Sequence, residues 1–174
     1  FNVDLKRLCL NGESSGGYLA VGTAMELAKN GEADRIKLLV PDVPAISAHW
    51  ITPDDGSPTH WSRNEVMKAS GGGGHLETVK MLCHDWKQQF SDLDPFVFPG
   101  EMPDEVLAKL PSCVILTNEH CFLRKDAELF ASRLLAHDKL LDYCVCPGIT
   151  HYSDIPGLYN DKSSIFSQVL ETYL

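Results

Sequence analysis

The chain has 174 residues, 44% of them hydrophobic, and a formal net charge of -9 at pH 7, which suits one folded domain over residues 1–174 with a buried core. The negative charge and the scattered Lys and Arg residues exclude a nucleic-acid-binding protein, since a phosphate backbone would be repelled. No apolar run approaches the ~18 residues of a membrane span, so no such span is predicted.

The first strand and helix are predicted near the start of the chain. Residues 7–10 form a short apolar run that ends at Asn11-Gly12, which indicates a buried strand entering a turn. The segment from Gly17 onward is rich in helix-forming residues and closes at Asn30-Gly31, which favours a helix C-terminus there.

The next region combines a strand with an irregular stretch. Residues 36–40 read as a second buried strand that Pro41 terminates. Residues 41–75 are rich in proline and glycine, and we expect an irregular excursion. Apolar residues at helical spacing then predict a helix over 76–90.

The last third of the chain continues the alternation of helices and strands. A short helix is expected from Pro103, a third strand over 113–117, and a fourth strand over 140–146. A closing helix follows, capped by Ser163 or Ser164. The helix between the last two strands carries an apolar stripe of Ala127, Phe130, Ala131, Leu134 and Leu135.

This alternation predicts an α/β fold with a parallel sheet of about four strands flanked by helices. Right-handed crossovers connect the strands in such a sheet. Four strands is a small sheet for this architecture, which is a first indication that part of the fold is absent from this chain.

Cysteine and histidine spacing gives no sign of a metal site. The six cysteines contain no CxxC pair, and the seven histidines show neither HExxH nor paired Cys/His spacing. We predict no metal and reduced, mostly buried thiols, and we expect a cytoplasmic protein.

A candidate nucleophile lies where the first strand gives way to the first helix. Residues 12–16, GESSG, satisfy the G-x-S-x-G pattern, in which small flanking residues let the serine sit on a sharp strand-to-helix turn. Ser14 is therefore the predicted nucleophile. The backbone N–H of Ser15, at the start of the helix, is the predicted donor to an oxyanion.

The candidate general base is His151. A serine hydroxyl needs a base to become nucleophilic. His151 follows the fourth predicted strand, and a parallel sheet delivers the loops after its strands to the edge where Ser14 is expected.

Longer stretches of the chain resemble the hormone-sensitive-lipase-like branch of the α/β-hydrolases. GESSGGYLA is similar to the family's GDSAGG stretch, LPSCVILTNEHCFLRKDAELFASRL to its block LPPxLIxTAExDPLRDEGEAYAxRL, and CVCPGITHYS to its PGxxHxF ending. The resemblance implies a partial α/β-hydrolase fold and a carboxylic-ester hydrolase that acts on small-molecule esters without a cofactor. It implies Ser14 as nucleophile, His151 as base and an acyl-enzyme intermediate.

One departure from the family concerns the triad acid. The family's aspartate falls on Cys121, and a thiol there gives an imidazolium little charge compensation and poor control of its tautomer. Glu119 or Asp126 could substitute if the loop were rearranged, and Glu119 is the predicted acid because it lies on the loop itself. Otherwise the triad is incomplete.

A second departure concerns the upstream half of such an enzyme. The family's HGGG loop and four further strands precede the segment where this chain begins, at Phe1, so the resemblance covers the C-terminal half. The run SGGGGH at 70–75 is read as a flexible turn. We expect an uncovered edge at the first strand, completed by the missing N-terminal half or by a homo-oligomer.

Two functions follow from these residues. The first is ester hydrolysis by Ser14 and His151. The alternative is a catalytically weakened hydrolase-like domain that binds a ligand or partner through the former cleft; Cys121 favours it, while the retained Ser14 and His151 oppose it.

Overall fold

The computed structural model describes residues 4, 6–47, 94–151 and 159–174. Its centre is one parallel sheet with the strand order β1-β2-β3-β4. The strands are β1 (Cys9–Glu13), β2 (Leu38–Asp42), β3 (Cys113–His120) and β4 (Leu140–Thr150). The predicted α/β architecture with four parallel strands is confirmed.

Four α-helices accompany the strands within the described ranges. They are α1 (Ser15–Lys29), α2 (Asp104–Leu107), α3 (Arg124–Ala136) and α4 (Tyr159–Tyr173), with short 3-10 turns at Ala33–Arg35 and Pro99–Glu101. None of these helices has the length and apolar character that a membrane crossing requires.

Helices cover both faces of the sheet. Leu39 of β2 and Ile115 of β3 belong to the cluster that packs with α1 and α3. Leu38 of β2 and Leu116 of β3 belong to a second cluster, which packs against α4 through Val169. Neighbouring residues of a strand point to opposite faces, so the apolar residues Leu38 and Leu39 of the fully buried β2 face helices on opposite sides.

β1 extends further than the sequence indicates. Asn11 and Gly12, predicted to form a turn, lie inside the strand and pair with Val40 and Pro41 of β2. The Asn11 side-chain amide donates to the Val40 carbonyl at 3.1 Å, which gives this turn-favouring residue a partner within the sheet. The strand-ending turn therefore begins later, at Ser14.

Pro41 does not terminate β2 as predicted. It lies between Leu39 and Asp42, the two residues of β2 that register with β3. Proline lacks an N–H, so it donates nothing at that point, but the Val43 N–H donates to the Leu116 carbonyl at 2.9 Å and pairing resumes. Interrupted pairing of this kind allows a proline inside the strand.

Two details of the predicted helices are also wrong. Leu135 is 64% exposed, because it lies about 100° around α3 from the buried Leu134. Ser163 and Ser164 do not cap the last helix, since α4 begins at Tyr159 and includes both. The predicted helix over 76–90 and the run at 70–75 lie outside the described residues.

Candidate active site

Ser14 lies in the sharp turn between β1 and α1. Its backbone has φ 56° and ψ -113°, a positive φ that side-chain-bearing residues rarely adopt. The Ser14 N–H donates to the Asp42 carbonyl at 2.9 Å, and the Ser14 carbonyl accepts from the Tyr18 N–H at 3.0 Å. These bonds fix the strained backbone from both sides, as such conformations require.

Steric crowding explains why a glycine, Gly12, lies just before this turn. A Cβ added to Gly12 would overlap the carbonyl carbon and oxygen of Gly16, and both are backbone atoms that cannot move aside easily. A Cβ on Gly16 would meet no heavy atom within 4 Å among the described residues. The crowding of the G-x-S-x-G flanks therefore falls on Gly12.

His151 faces Ser14 from the end of β4. Its Nε2 lies 2.9 Å from the Ser14 Oγ, which is hydrogen-bond distance for a base and the hydroxyl it would deprotonate. The ring of Phe122 packs against the imidazole, with 4.6 Å between ring centroids and a tilt of 51°. The two residues that sequence analysis selected thus lie together on one edge of the sheet.

The sulfur of Cys121 lies on the other side of the imidazole. Cys121 Sγ is 3.1 Å from His151 Nδ1, and the Leu123 N–H donates to the same sulfur at 3.3 Å. Cys121 is 2% exposed, and its burial raises the pKa of the thiol to about 12, although the Leu123 bond opposes this shift. The thiol is therefore neutral near pH 7.

A neutral thiol performs only part of the work of a carboxylate. A carboxylate only accepts, so it keeps the proton on Nδ1 and leaves Nε2 free to take the serine proton. The Cys121 thiol both donates and accepts, so it fills the position without selecting the tautomer. It also supplies no negative charge beside the imidazolium that forms when His151 takes a proton.

The structure brings neither Glu119 nor Asp126 to Nδ1 in place of Cys121. The exposed Glu119 accepts from the Gly148 N–H at 2.7 Å through Oε2, which also lies 3.8 Å from His120 Nε2. Asp126 is 2% exposed and accepts from the Ser47 N–H at 3.2 Å.

Ser15 is the first residue of α1. The first four N–H groups of a helix have no carbonyl partner within it, so the Ser15 N–H belongs to the set that can donate to a developing negative charge. Ser15 was predicted to lie at the start of the helix, and in the structure it is the first helical residue after the Ser14 turn.

A buried lysine that the sequence did not predict lies beside this turn. Lys162 Nζ lies 2.8 Å from Asp42 Oδ2 and 3.4 Å from Glu13 Oε1. The signal was available in part, because Lys162, Ile165, Phe166 and Val169 follow the spacing of one helix face and a lysine interrupts its apolar stripe.

Metal-ligating side chains do not cluster within the described ranges. No group of three or more His, Cys, Asp or Glu side chains there is arranged to hold a metal ion. At this edge of the sheet, the imidazole of His151 contacts the Ser14 hydroxyl at 2.9 Å and the Cys121 thiol at 3.1 Å.

Known proteins are similar to this chain in both sequence and fold. The sequence model of the alpha/beta hydrolase fold family matches residues 1–153, and the chain belongs to that family. The versiconal hemiacetal acetate esterase of Emericella nidulans is 24% identical over an alignment of 173 residues that covers 95% of this chain and 58% of the esterase.

Two solved structures illustrate the likeness in fold. A brefeldin A esterase described as a bacterial homologue of human hormone-sensitive lipase superposes with a TM-score of 0.72 at 22% identity, over 95% of this chain and 47% of that one. A hyperthermophilic esterase from the archaeon Pyrobaculum calidifontis gives 0.71 at 25% identity, over 98% and 52%. The chain thus spans about half the length of these relatives.

Proposed function

We propose that this chain carries the nucleophile and general base of a carboxylic-ester hydrolase. The observation that carries the proposal is the 2.9 Å contact between Ser14 Oγ and His151 Nε2. Support also comes from the strained turn that holds Ser14 and from the esterases that share this fold.

The reaction proceeds in two halves. Ser14 Oγ attacks the acyl carbonyl while His151 Nε2 takes its proton, and the Ser15 N–H donates to the oxyanion. The ester C–O bond then breaks, the alcohol leaves with the proton from His151, and an acyl-enzyme remains. Water attacks that acyl group through the same base, which returns the proton to Ser14.

Short acyl esters are the proposed substrate class. The name of the Emericella nidulans relative refers to an acetate ester, and esters of small acids are what the sequence resemblance implies. p-Nitrophenyl acetate is therefore the first substrate to test, and a burst of p-nitrophenol would report an accumulating acyl-enzyme.

The identity of the third triad member, the residue that acts on His151 Nδ1, stays a prediction. Cys121 Sγ adjoins Nδ1, whereas a catalytic role for Glu119 requires the loop to rearrange and the bond to Gly148 to break. The neutral thiol also supports the second candidate function, a weakened hydrolase-like domain that binds through the same cleft.

A fluorophosphonate probe separates the two functions. The wild-type chain should form a covalent adduct that peptide mapping places on Ser14, and Ser14→Ala should not label. Ser132→Ala, which alters a serine of α3, is the control and should label like the wild type. A wild type that stays unlabelled would remove the hydrolase proposal and favour the binding domain.

A further inference from the structure

Lys162 is a buried cation on the sheet-facing side of α4. The residue is 5% exposed and follows the helical spacing of Phe166 and Val169, which belong to the apolar cluster between α4 and the sheet. A buried ammonium is retained only where it is paired, so its partners indicate what it does.

The partners of Lys162 are the last residues of two strands. Asp42 ends β2 and Glu13 ends β1, and both carboxylates contact the same Nζ. Burial opposes the charge on Lys162, but the two carboxylates outweigh it and raise the pKa of the ammonium. Burial also raises the pKa of the Asp42 carboxyl, and the charge of Lys162 offsets this only in part.

These two strand ends hold the Ser14 turn. Glu13 directly precedes Ser14, and the Asp42 carbonyl accepts the Ser14 N–H at 2.9 Å. The positive φ of Ser14 persists only while the surrounding structure fixes it. An ammonium that joins the side chains of Glu13 and Asp42 therefore fixes the two strand ends relative to one another.

Lys162 also lies on the helix that comes after His151 in the sequence. α4, which carries Lys162, is the next described element after His151 in the chain. Lys162 thus ties the strand ends that hold the nucleophile to the helix that follows the base. Its contacts lie on the α4 face of the sheet, whereas Ser14 and His151 meet at the carboxyl edge.

We propose that Lys162 is a positioning residue that keeps Ser14 Oγ within hydrogen-bond distance of His151 Nε2 by bridging Glu13, Asp42 and α4. The proposal rests on the proposed function, since it assigns Lys162 a part in the same reaction. A misplacement of about 1 Å can lower a rate by about 100-fold, so the loss should appear in the chemical step.

The test measures fluorophosphonate labelling as a rate constant and an apparent affinity. Lys162→Met should lower the limiting labelling rate by about 10- to 100-fold and leave the affinity within about threefold. Lys162→Arg keeps the charge and should recover most of the rate, because a cavity of about 350 Å³ beside Lys162 leaves room for the larger guanidinium. Lys29→Met, which removes an exposed ion pair at the end of α1, is the control and should label like the wild type.

A double variant distinguishes positioning from stability alone. Removing one partner of a buried pair is strongly destabilising, whereas removing both charges is often nearly neutral. Asp42→Asn combined with Lys162→Met should therefore recover Tm without recovering the labelling rate. A rate that recovers together with Tm, or a Lys162→Met variant that labels like the wild type, would overturn the proposal.

A second measurement does not require catalysis. In ¹⁵N-histidine-labelled protein, the His151 ring resonances, assigned with His151→Gln, should shift in Ser14→Ala because the contact is lost. Lys162→Met should shift them in the same direction. If the wild type does not label but these shifts agree, the hydrolase proposal fails and the positioning role stands; unshifted resonances in Lys162→Met would end the positioning role.

Discussion

The turn that holds Ser14 and the loop that holds Cys121 flank the same imidazole but are built differently. At the turn, backbone contacts decide the geometry: Gly12 lies against the backbone of Gly16, and the Ser14 N–H is bonded to Asp42. In the loop, the side chain decides the chemistry. The sulfur of Cys121 lies beside His151 Nδ1, in the position that the carboxylate of a triad would take.

This difference shows that the position and the charge of the third triad member, here Cys121, are separable. The loop still brings a side chain to within 3.1 Å of His151 Nδ1, and the Leu123 N–H points at its terminal atom. The terminal group differs from a carboxylate, because burial keeps the thiol neutral and a thiol can donate as well as accept. The imidazole therefore has a hydroxyl on one side and a thiol at the position that a carboxylate takes in a triad.

Cys121→Asp tests this separation most strongly. Replacing the triad aspartate by its amide lowers kcat by about 10⁴ in a serine protease, so supplying the missing carboxylate should raise turnover of p-nitrophenyl acetate by up to about 10⁴-fold. The Leu123 N–H is in place to bond the new carboxylate. Steady-state kinetics of purified wild type and variant measure the effect.

Cys121→Asn is the matched control, since asparagine has the shape of aspartate without its charge. It should stay close to the wild type. If Asn and Asp raise turnover equally, packing and not charge limits the site.

Ser14→Ala should have the next largest effect. In a complete triad the loss of the serine costs about 10⁶-fold and the loss of the acid about 10⁴-fold, so a site already without its acid should lose only about 100-fold more. Turnover of p-nitrophenyl acetate measures this loss. Ser14→Ala combined with Cys121→Asp should fall to the same residual rate as Ser14→Ala alone, and a higher rate would mean that the new carboxylate acts without Ser14.

Much of the turn could be predicted from sequence because local sterics dictate it. The buried strand, the serine between glycines and the following helix could all be recognised in the sequence. The position of His151 could be inferred because parallel strands end at the same edge of a sheet. Pro41 was misread because a proline normally ends a strand, whereas the pairing of β2 with β3 is spaced around it.

The environment of the imidazole was less predictable. Glu119 and Cys121 are two residues apart, and the register between β3 and β4 shifts between Asn118 and His120. Such a shift changes which side chain faces the site, so counting residues along a strand cannot decide it. Pairing of Lys162 with Asp42 depends on a contact between residues far apart in the sequence, which spacing does not reveal.

Gly12→Ala tests the backbone side of the comparison. The added Cβ would collide with the Gly16 carbonyl, so we expect a loss of about 3 kcal/mol in the free energy of unfolding, at the upper end for overpacking. Chemical denaturation measures the loss. Gly16→Ala is the matched control for stability, because its Cβ meets no described atom within 4 Å; equal losses in both variants would show that the turn is not governed by this contact.

Glu119→Gln has the smallest expected effect and decides between the two candidates for the third residue. Glutamine can still accept from the Gly148 N–H, and the Cys121 sulfur still lies 3.1 Å from Nδ1, so turnover should change by less than about threefold. Glu119→Ala removes the acceptor as well, and it should lower turnover further because Gly148 lies on the segment that leads to His151. A loss on the order of 10⁴-fold in Glu119→Gln would instead show that the loop rearranges during the reaction and that Glu119 supplies the missing anion. In that case Cys121→Asp would add little, since a carboxylate would already be present, so the two variants answer the same question from opposite sides.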